Sequence, residues 1–531
     1  MNRDISNMID PVAQEYIYNS GLYLREPEFK PLAAGKVLSF DEAETPGAEI
    51  LEEAGISVLS DGENAEQVLE GIRNAGDRLL ILRNMLKDNR MVGFVCFRYL
   101  GPNELFSVLG DVELAQQVRH RTSGEILMIT GLWVRKDALI PNPAQYLISE
   151  VIARSFPHSC SYAIYFQEHG TLSAEVESVL ERQGFLRAEE FRSEIPLYLV
   201  DMHSPLVLLK NMETTIKEPL ASEEAVLQVM EQAHRKLQKA MTALYPGQLV
   251  LSLSAASIYP QLVEKVTAAN GVPNEVAEPR KLGDCMCVPY GKILRDKVIP
   301  NTVTKTLHTD KVFSADLETG SIEAFPNYAS LPEQIRMLRS FRRPMILVDD
   351  ILHLGGRFEA LEPMLKKEKI EIKKVILGVI SGYGRDTMAL KGIDTDSVYF
   401  IPNIRKWFVE STLYPFIGGD TVLRPTQKVA GLSPSVNMIF PYTKPPKEIL
   451  GATPEALYEF SACCIRNSRD IFLALEEAYR MRFGRNLTLE RLSEAVIAPL
   501  CPDRGECVNY DPNLAASTYL ENDLEMLNRI K

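Results

Sequence analysis

The stretch that most constrains the fold of this 531-residue chain is Met345–Arg357, MILVDDILHLGGR. Its first four residues are apolar, as is typical of a strand buried on both faces of a sheet. Asp349 and Asp350 end the strand, and Gly355 and Gly356 allow a tight turn into a helix. Because an unpaired carboxylate is costly to bury, at least one of the two acids is expected to face a crevice. The pattern predicts a ligand site at the carboxyl end of this strand.

Buried-looking strands alternate with helices throughout the middle of the chain, from about residue 219 to 428. This alternation predicts a parallel sheet that carries helices on both faces. The predicted strands are Leu249–Leu253, Asp284–Val288, Pro344–Ile351, Lys374–Ser381 and Ser397–Ile404. The middle region is therefore expected to be an α/β domain.

The regions on either side have different patterns. Residues 1–218 are predicted to form an α+β domain, and residues 429–531, where apolar residues recur at helical spacing after Thr453, a helical extension. The fold class is thus multidomain α/β, with domains at 1–218, 219–428 and 429–531. The main elements expected in the first domain are Arg78–Leu86, Met91–Leu100, Glu125–Val134 and the helix Asn142–Phe156.

Charge and composition exclude several classes of protein. The chain has 58 Lys and Arg against 71 Asp and Glu, a net charge of −13, which argues against a nucleic-acid partner. No apolar run approaches the ~18–20 residues of a membrane helix, and the N-terminus lacks the apolar region of a signal peptide. The eight cysteines form no CxxC pair, so reduced thiols and no metal site are expected. We expect a cytoplasmic protein without a membrane partner.

Roughly residues 50–200 resemble the GNAT acyltransferase fold, through the segments EILMITGLWVRKDA, YAIYF and SAEVESVLERQGF. In that family a long strand splays from its neighbour, its free backbone groups hold the pantetheine arm of acetyl-CoA, and a glycine-rich turn receives the diphosphate. The corresponding turn here, Leu139–Gln145, contains Pro141 and Pro143 and no glycine, which removes two N–H donors. We therefore expect acetyl-CoA to bind weakly or not at all.

The stretch Met345–Arg357 is similar to the PRPP-binding loop of type I phosphoribosyltransferases. The resemblance implies that Asp349 and Asp350 form the catalytic pair, which hydrogen-bonds the ribose hydroxyls, while the loop amides hold the 5-phosphate. The family has a hydroxyl residue on either side of the two glycines, and this chain has leucine and arginine there, so a guanidinium would contact phosphate instead. The implied substrate contacts are His353, Gly355, Gly356 and Arg357.

Two further segments extend this resemblance. Leu249–Tyr259 is similar to the family's pyrophosphate loop, in which Ser254 and Ser257 would contact phosphate. Lys305 lies in the basic stretch Pro279–Lys311, which is similar to the family's mobile lid over the substrate. Mg²⁺ would bridge the ligand where that ligand is a diphosphate.

The sequence thus predicts a protein that binds a phosphorylated ribose or nucleotide and, if it is an enzyme, transforms it as a transferase. Two alternatives stay open. One is a non-catalytic ligand sensor or scaffold built from two altered enzyme folds, and the other is an acyl-CoA-dependent N-acyltransferase. The expected partner is a phosphorylated small molecule, and the sequence leaves the oligomeric state open.

Overall fold

A computed structural model of the chain describes residues 38–43, 65–85, 89–122, 124–135, 137–138, 140–168, 172–188, 196–275, 282–295, 297–325, 328–423, 432–443, 445, 449, 451–503 and 510–530. The strands are β1 Leu38–Ala43, β2 Arg78–Asn84, β3 Arg90–Leu100, β4 Ile126–Val134, β5 Tyr162–Phe166, β6 Leu186–Arg187, β7 Leu197–Lys210, β8 Gln248–Ser254, β9 Met286–Pro289, β10 Val303–Thr304, β11 Thr309–Phe313, β12 Gly320–Ala324, β13 Met345–Leu352, β14 Ile372–Ser381, β15 Thr395–Ile401, β16 Lys406–Val409, β17 Asp420–Val422, β18 Ser433–Val436 and β19 Leu500–Pro502. The helices are α1 Ala65–Asn74, α2 Leu105–Leu109, α3 Val112–Arg121, α4 Pro143–Ser155, α5 Ala174–Arg182, α6 Glu224–Thr242, α7 Ala255–Asn270, α8 Leu331–Ser340, α9 Gly356–Lys367, α10 Gly382–Leu390, α11 Glu410–Leu413, α12 Pro454–Phe483, α13 Leu492–Ala495 and α14 Ala516–Ile530.

The first sheet has nine strands, in the order β1-β2-β3-β4-β5-β7-β16, with β6 and β8 also paired to β7. The predicted hairpin is confirmed, because β2 and β3 pair antiparallel. β4 pairs in parallel with β5 from Ile126 to Ile129, close to the end of the five-residue β5, and the carbonyl of Thr130 still accepts from the N–H of Glu168 at 2.9 Å.

β7 carries the first sheet into the middle region of the chain. Its first residues pair with β5, while Leu206–Lys210 lies between β8 and β16, both of which run parallel to it. β8, predicted as a strand of the parallel sheet in the middle domain, therefore belongs to the first sheet instead. Its apolar sequence predicts burial on both faces but does not say which sheet supplies its neighbours.

The second sheet is the predicted parallel sheet, with the order β10-β9-β13-β14-β15. Its carboxyl ends all lie at one edge, and β13, which carries the two acids, is central. The stretch Pro279–Lys311, predicted as a mobile lid, contributes β9, β10 and the start of β11. β9 is buried between β13 and β10, and Ile293, Leu294 and Ile299, which follow it, are buried in an apolar core. These parts of the stretch are therefore packed into the fold rather than free to move as a lid.

The third sheet has the order β12-β11-β17-β18-β19 and joins the middle of the chain to its last hundred residues. The predicted helical extension is confirmed for α12 and α14, but β18 and β19 also come from it. These strands of three and four residues are too short for an alternating pattern to reveal them. Among the described residues, no helix is both long and apolar enough to cross a membrane.

A single apolar core joins the first and second sheets. Val151 of α4, Ile258 of α7 and Val379 of β14 belong to the same buried cluster. α7 follows β8 of the first sheet directly and packs on the second sheet, against β14 and β15. The N-termini of α4 and α7 are thereby brought to the junction of the two sheets.

Candidate functional site

A crevice of about 430 Å³, its mouth included, opens where α4, α6 and α7 meet the ends of β7 and β8. Tyr399 of β15 and Phe40 of β1 close its sides. Asn142, Gln145, Tyr146, Ser149 and Glu150 line it from α4 at helical spacing, so one polar face of that helix points into the crevice.

Two helices begin in the wall of this crevice. α4 starts at Pro143 after Asn142, which has left-handed backbone geometry and makes no side-chain cap. α7 starts at Ala255, and its cap Ser254 accepts a hydrogen bond from the backbone N–H of Ala256 at 3.2 Å. Helix N-termini present free N–H groups and a positive partial charge, which favour an anionic ligand. In α4 Pro143 has no N–H and the N–H of Gln145 is given to the carbonyl of Asn142 at 3.1 Å, so α7 is the better donor of the two.

Lys210, at the end of β7, adds a formal positive charge. Its ammonium lies 2.6 Å from Oε2 of Glu231, and its side chain is only 12% exposed. Burial lowers the pKa of Lys210, but the nearby Tyr146, Glu231 and Glu213 outweigh it and raise the pKa overall. Burial raises the pKa of Tyr146, which also hydrogen-bonds Ser254. Lys210 is therefore a fixed, charged group in the crevice wall.

Two polar atoms in the crevice wall are buried without a hydrogen-bond partner among the described residues. They are Oδ1 of Asn142 and Oγ of Ser257. Buried polar atoms in folded proteins are nearly always hydrogen-bonded, and an exception in a cavity wall indicates a group that is satisfied by something bound there.

A chain of hydrogen bonds leads from the crevice wall into the core. Oγ of Ser252 lies 2.9 Å from Nε2 of His234, and Nδ1 of His234 lies 2.9 Å from Oε2 of Glu410. The other oxygen of Glu410 accepts a hydrogen bond from the hydroxyl of Tyr414 at 2.9 Å. Ser252 and His234 line the crevice, whereas Glu410 is fully buried behind them.

The opposite side of the crevice is closed by a contact between α4 and β15 of the second sheet. The hydroxyl of Tyr399 donates to Glu150 at 2.5 Å, and Nε of Arg154 donates to the other oxygen of the same carboxylate at 2.8 Å. Burial and the neighbouring Glu150 carboxylate raise the pKa of Tyr399. The phenol is therefore a permanent hydrogen-bond donor in this contact.

Asp349 lies at the carboxyl edge of the parallel sheet, away from the crevice. Its Oδ1 accepts from the guanidinium of Arg357 at 2.5 Å and from the backbone N–H of Asp350 at 2.8 Å. Burial raises the pKa of Asp349 to about 7, although Arg357 opposes the shift. The Asp349 side chain is 2% exposed and that of Arg357 is 32% exposed, so the guanidinium is the member of the pair that reaches solvent.

Asp350 holds a turn of the backbone. Its two oxygens accept the N–H groups of Lys292 at 2.6 Å and Ile293 at 2.8 Å, and the residue is 5% exposed. Gly291 makes this approach possible, because a Cβ there would lie 2.4 Å from Oδ1 of Asp350. Neither acid thus presents a free carboxylate to an open crevice, contrary to the expectation for at least one of them.

The remaining predicted contacts also lie at the carboxyl edge. Gly355 caps α9 with left-handed geometry, and the space beside Gly356 is open. His353 accepts a hydrogen bond through its carbonyl from Ser381 at 3.0 Å, and the N–H of Lys305 donates to the carbonyl of Cys287 at 3.0 Å. Of the predicted site residues, Ser254 and Ser257 line the crevice and the other seven do not.

Sequence reasoning missed Lys210, His234 and Glu410. His234 lies on the apolar face of α6, where a packed histidine is the ordinary expectation, and it is 18 and 176 residues from its two partners. A single sequence gives no signal that pairs residues so far apart. Lys210 ends an apolar strand, as Asp349 and Asp350 do, and this pattern could have marked it. No group of three potential metal-ligating side chains occurs in the described part of the chain.

Comparison with known proteins finds a likeness over part of the chain. No protein-family model and no curated protein matches it. The structure of Arabidopsis thaliana NAA60 in complex with acetyl-CoA is 18% identical over 30% of this chain and 96% of that one, with a TM-score of 0.23. Drosophila melanogaster polyamine N-acetyltransferase is 13% identical over 31% of this chain and 100% of that one, with a TM-score of 0.22. The likeness is to GNAT acetyltransferases, and the resemblance to phosphoribosyltransferases stays a prediction.

Proposed function

We propose that this chain binds a phosphorylated small molecule, a sugar phosphate or nucleotide, in the crevice between α4 and α7. The observation that carries the proposal is that the N-terminus of α7 and the Lys210 ammonium meet at one cavity. Helix N-termini and ammonium groups both favour phosphate oxygens.

The polar groups of the crevice suit a ligand that carries hydroxyls as well as phosphate. Ser257 can donate to a phosphate oxygen, while Oδ1 of Asn142 can only accept, so it calls for a hydroxyl or amine of the ligand. The carboxylates of Glu231 and Glu150 are paired with Lys210 and Arg154, which limits their repulsion of an anion. Mg²⁺ would accompany a diphosphate and be held by the diphosphate oxygens.

Removing the crevice cation should weaken binding. Lys210→Gln removes a charge-assisted contact, which is worth about 1.5–3 kcal/mol, so affinity for the bound phosphate compound should fall roughly ten- to a hundredfold. Titration calorimetry with PRPP, ribose 5-phosphate, nucleotides and acyl-CoAs, with and without Mg²⁺, measures this effect. Lys236→Gln is the matched control, because Lys236 also forms an ion pair, with Asp470 at 3.2 Å, but lies outside the crevice.

Ser257→Ala separates binding from folding. Because Oγ of Ser257 has no partner among the described residues, its loss should leave the free energy of unfolding within about 0.5 kcal/mol of wild type. Affinity should fall by about 0.5–1.5 kcal/mol, roughly two- to tenfold. The proposal would be overturned if no compound of the panel binds with a Kd below about 1 mM. If a compound binds and neither Lys210→Gln nor Ser257→Ala weakens its affinity, the binding site lies outside the crevice.

Arg357 is the second candidate for a phosphate contact. It follows the N-terminus of α9, where Gly356 leaves open space, and its partly exposed guanidinium has donors beyond the one given to Asp349. If phosphate binds at this carboxyl edge, Arg357→Ala should weaken affinity roughly ten- to a hundredfold while Lys210→Gln leaves it unchanged. The same titrations therefore discriminate between the two places.

Acyl transfer from an acyl-CoA is the second candidate function. The specific observation that favours it is that β4 is longer than β5. Beyond the Thr130 carbonyl, which accepts from the N–H of Glu168, β4 continues to Val134, where its backbone could hold an extended ligand. Pro141 and Pro143 argue against tight diphosphate binding at the following turn. Micromolar binding of acetyl-CoA but not of the sugar phosphates would favour this candidate over the first.

A further inference from the structure

We propose that Ser252 is a nucleophile, activated by His234 and Glu410, and that the crevice cleaves a carboxylic ester or thioester. The three side chains form an unbroken chain of hydrogen bonds with two distances of 2.9 Å. Such a series of hydroxyl, imidazole and carboxylate is the arrangement by which proteins raise the reactivity of a serine. The binding of a phosphorylated molecule proposed above does not require this chain of hydrogen bonds.

The carboxylate sets the tautomer of the histidine. Glu410 is fully buried and accepts from Nδ1 of His234, so the proton sits on Nδ1 and Nε2 is left as the acceptor for the Ser252 hydroxyl. The hydroxyl of Tyr414 holds the second carboxylate oxygen, and Nδ2 of Asn467 donates to that hydroxyl at 3.2 Å. Glu410 is thus fixed in orientation, as a carboxylate that orients a catalytic base must be.

The three residues are all buried, with Ser252 at 5%, His234 at 1% and Glu410 at 0% exposure, but they differ in what they face. Ser252 and His234 line the crevice, and Glu410 lies behind them with no part in the lining. A polar cluster that served packing alone has no need to place its hydroxyl and imidazole, rather than its acid, at a cavity wall. The nucleophile and the base are the groups that must meet a substrate.

A neighbouring helix end can stabilise the charge that develops in the reaction. Ser252 and Ser254 are two residues apart on β8 and share a face of the strand, and α7 begins immediately afterwards. The N–H groups of the first turn of α7 therefore lie at the same end of the crevice as Ser252. Such donors stabilise the oxyanion of a tetrahedral intermediate.

The reaction balances without any further reagent. Oγ of Ser252 bonds to the carbonyl carbon while its proton moves to Nε2 of His234. The bond from that carbon to the leaving oxygen or sulfur then breaks, and the leaving group takes the proton from His234. Water next attacks the acyl-serine, again with His234 as base, which releases the acid and restores Ser252. The proposed function above adds that this ester or thioester is phosphorylated, but the assignment of the nucleophile does not depend on that function.

Labelling with an alkyl fluorophosphonate tests the nucleophile directly, because this uncharged probe needs no phosphate site. Intact-mass measurement of the full chain should show one adduct, and peptide mapping should assign it to Ser252. Ser252→Ala should abolish the adduct, and Glu410→Gln should slow labelling by at least about a hundredfold. Ser222→Ala, which changes an exposed serine outside the crevice, should label as wild type does.

A second variant at the same position tests whether a loss of labelling is caused by misfolding. Ser252→Cys keeps a small group beside His234 and should react with iodoacetamide faster than the buried cysteines do, provided that His234 is present. Hydrolysis of p-nitrophenyl acetate should fall to the buffer rate in Ser252→Ala. A folded wild-type protein without an adduct, or an adduct that persists in Ser252→Ala, would overturn the proposal. Labelling of Ser252 without phosphate binding would instead refute only the proposed function.

Discussion

Asp350→Ala should destabilise the fold more than any other change at the carboxyl edge of the parallel sheet. The variant leaves the N–H groups of Lys292 and Ile293 without their acceptor in a buried turn. Each unsatisfied buried donor costs about 1–3 kcal/mol, so the loss of both partners should lower the free energy of unfolding by about 2–6 kcal/mol. Denaturant unfolding followed by circular dichroism measures the loss.

Asp350→Asn and Asp394→Ala complete this test. The asparagine keeps one accepting oxygen but turns an amide donor towards the second N–H, so its loss of stability should be intermediate. Asp394 belongs to the same sheet region but forms an exposed ion pair with Lys374, and its removal should cost less than about 1 kcal/mol. Equal stability of all three variants would mean that Asp350 does not hold the turn and is available for a ligand.

The acids illustrate what the sequence can predict. Their place at the end of a buried strand, followed by a glycine turn and a helix, is a local pattern, and β13 and α9 confirm it. What each carboxylate contacts is not local. The partners of Asp350 are 58 and 57 residues away, in a turn whose only sequence signal is Gly291. Burial in a strand can be predicted from a pattern, but the identity of a distant hydrogen-bond donor cannot.

The crevice also combines local patterns that the sequence predicts with distant contacts that it does not. Ser254 and Ser257 were predicted as phosphate contacts because a strand, a small-residue turn and a helix follow one another, and both serines do line a cavity. The sheet to which β8 belongs was not predictable, because an apolar strand of seven residues suits any sheet. The pairing of β8 with β7 is what brings Lys210 and His234 to the same cavity.

Gly184→Ala should disrupt the junction that positions β8 and with it the crevice. Gly184 follows α5 at a positive φ of 92°, and an added Cβ would lie 2.2 Å from the carbonyl oxygen of Gln248. At the same junction the N–H of Val250 donates to the carbonyl of Gln183 at 2.9 Å. Left-handed geometry costs a non-glycine residue about 1–2 kcal/mol, and the overlap with backbone has to be relieved by a shift of β8. A total loss of about 3–5 kcal/mol is expected.

Gly271→Ala separates the cost of left-handed backbone geometry from the cost of steric overlap in the expected loss of stability. Gly271 ends α7 with a similar positive φ of 66°, but a Cβ there would meet nothing within 4 Å, so only the backbone cost of about 1–2 kcal/mol applies. The free energies of unfolding of the two variants, measured by thermal and denaturant unfolding, should therefore differ by about 2 kcal/mol or more. Because Ser252 and Ser254 lie on β8, Gly184→Ala should also lower fluorophosphonate labelling of the folded fraction, whereas Gly271→Ala should not. Equal stability of the two variants would show that β8 does not pack against the end of α5, and the crevice geometry that depends on this contact would be wrong.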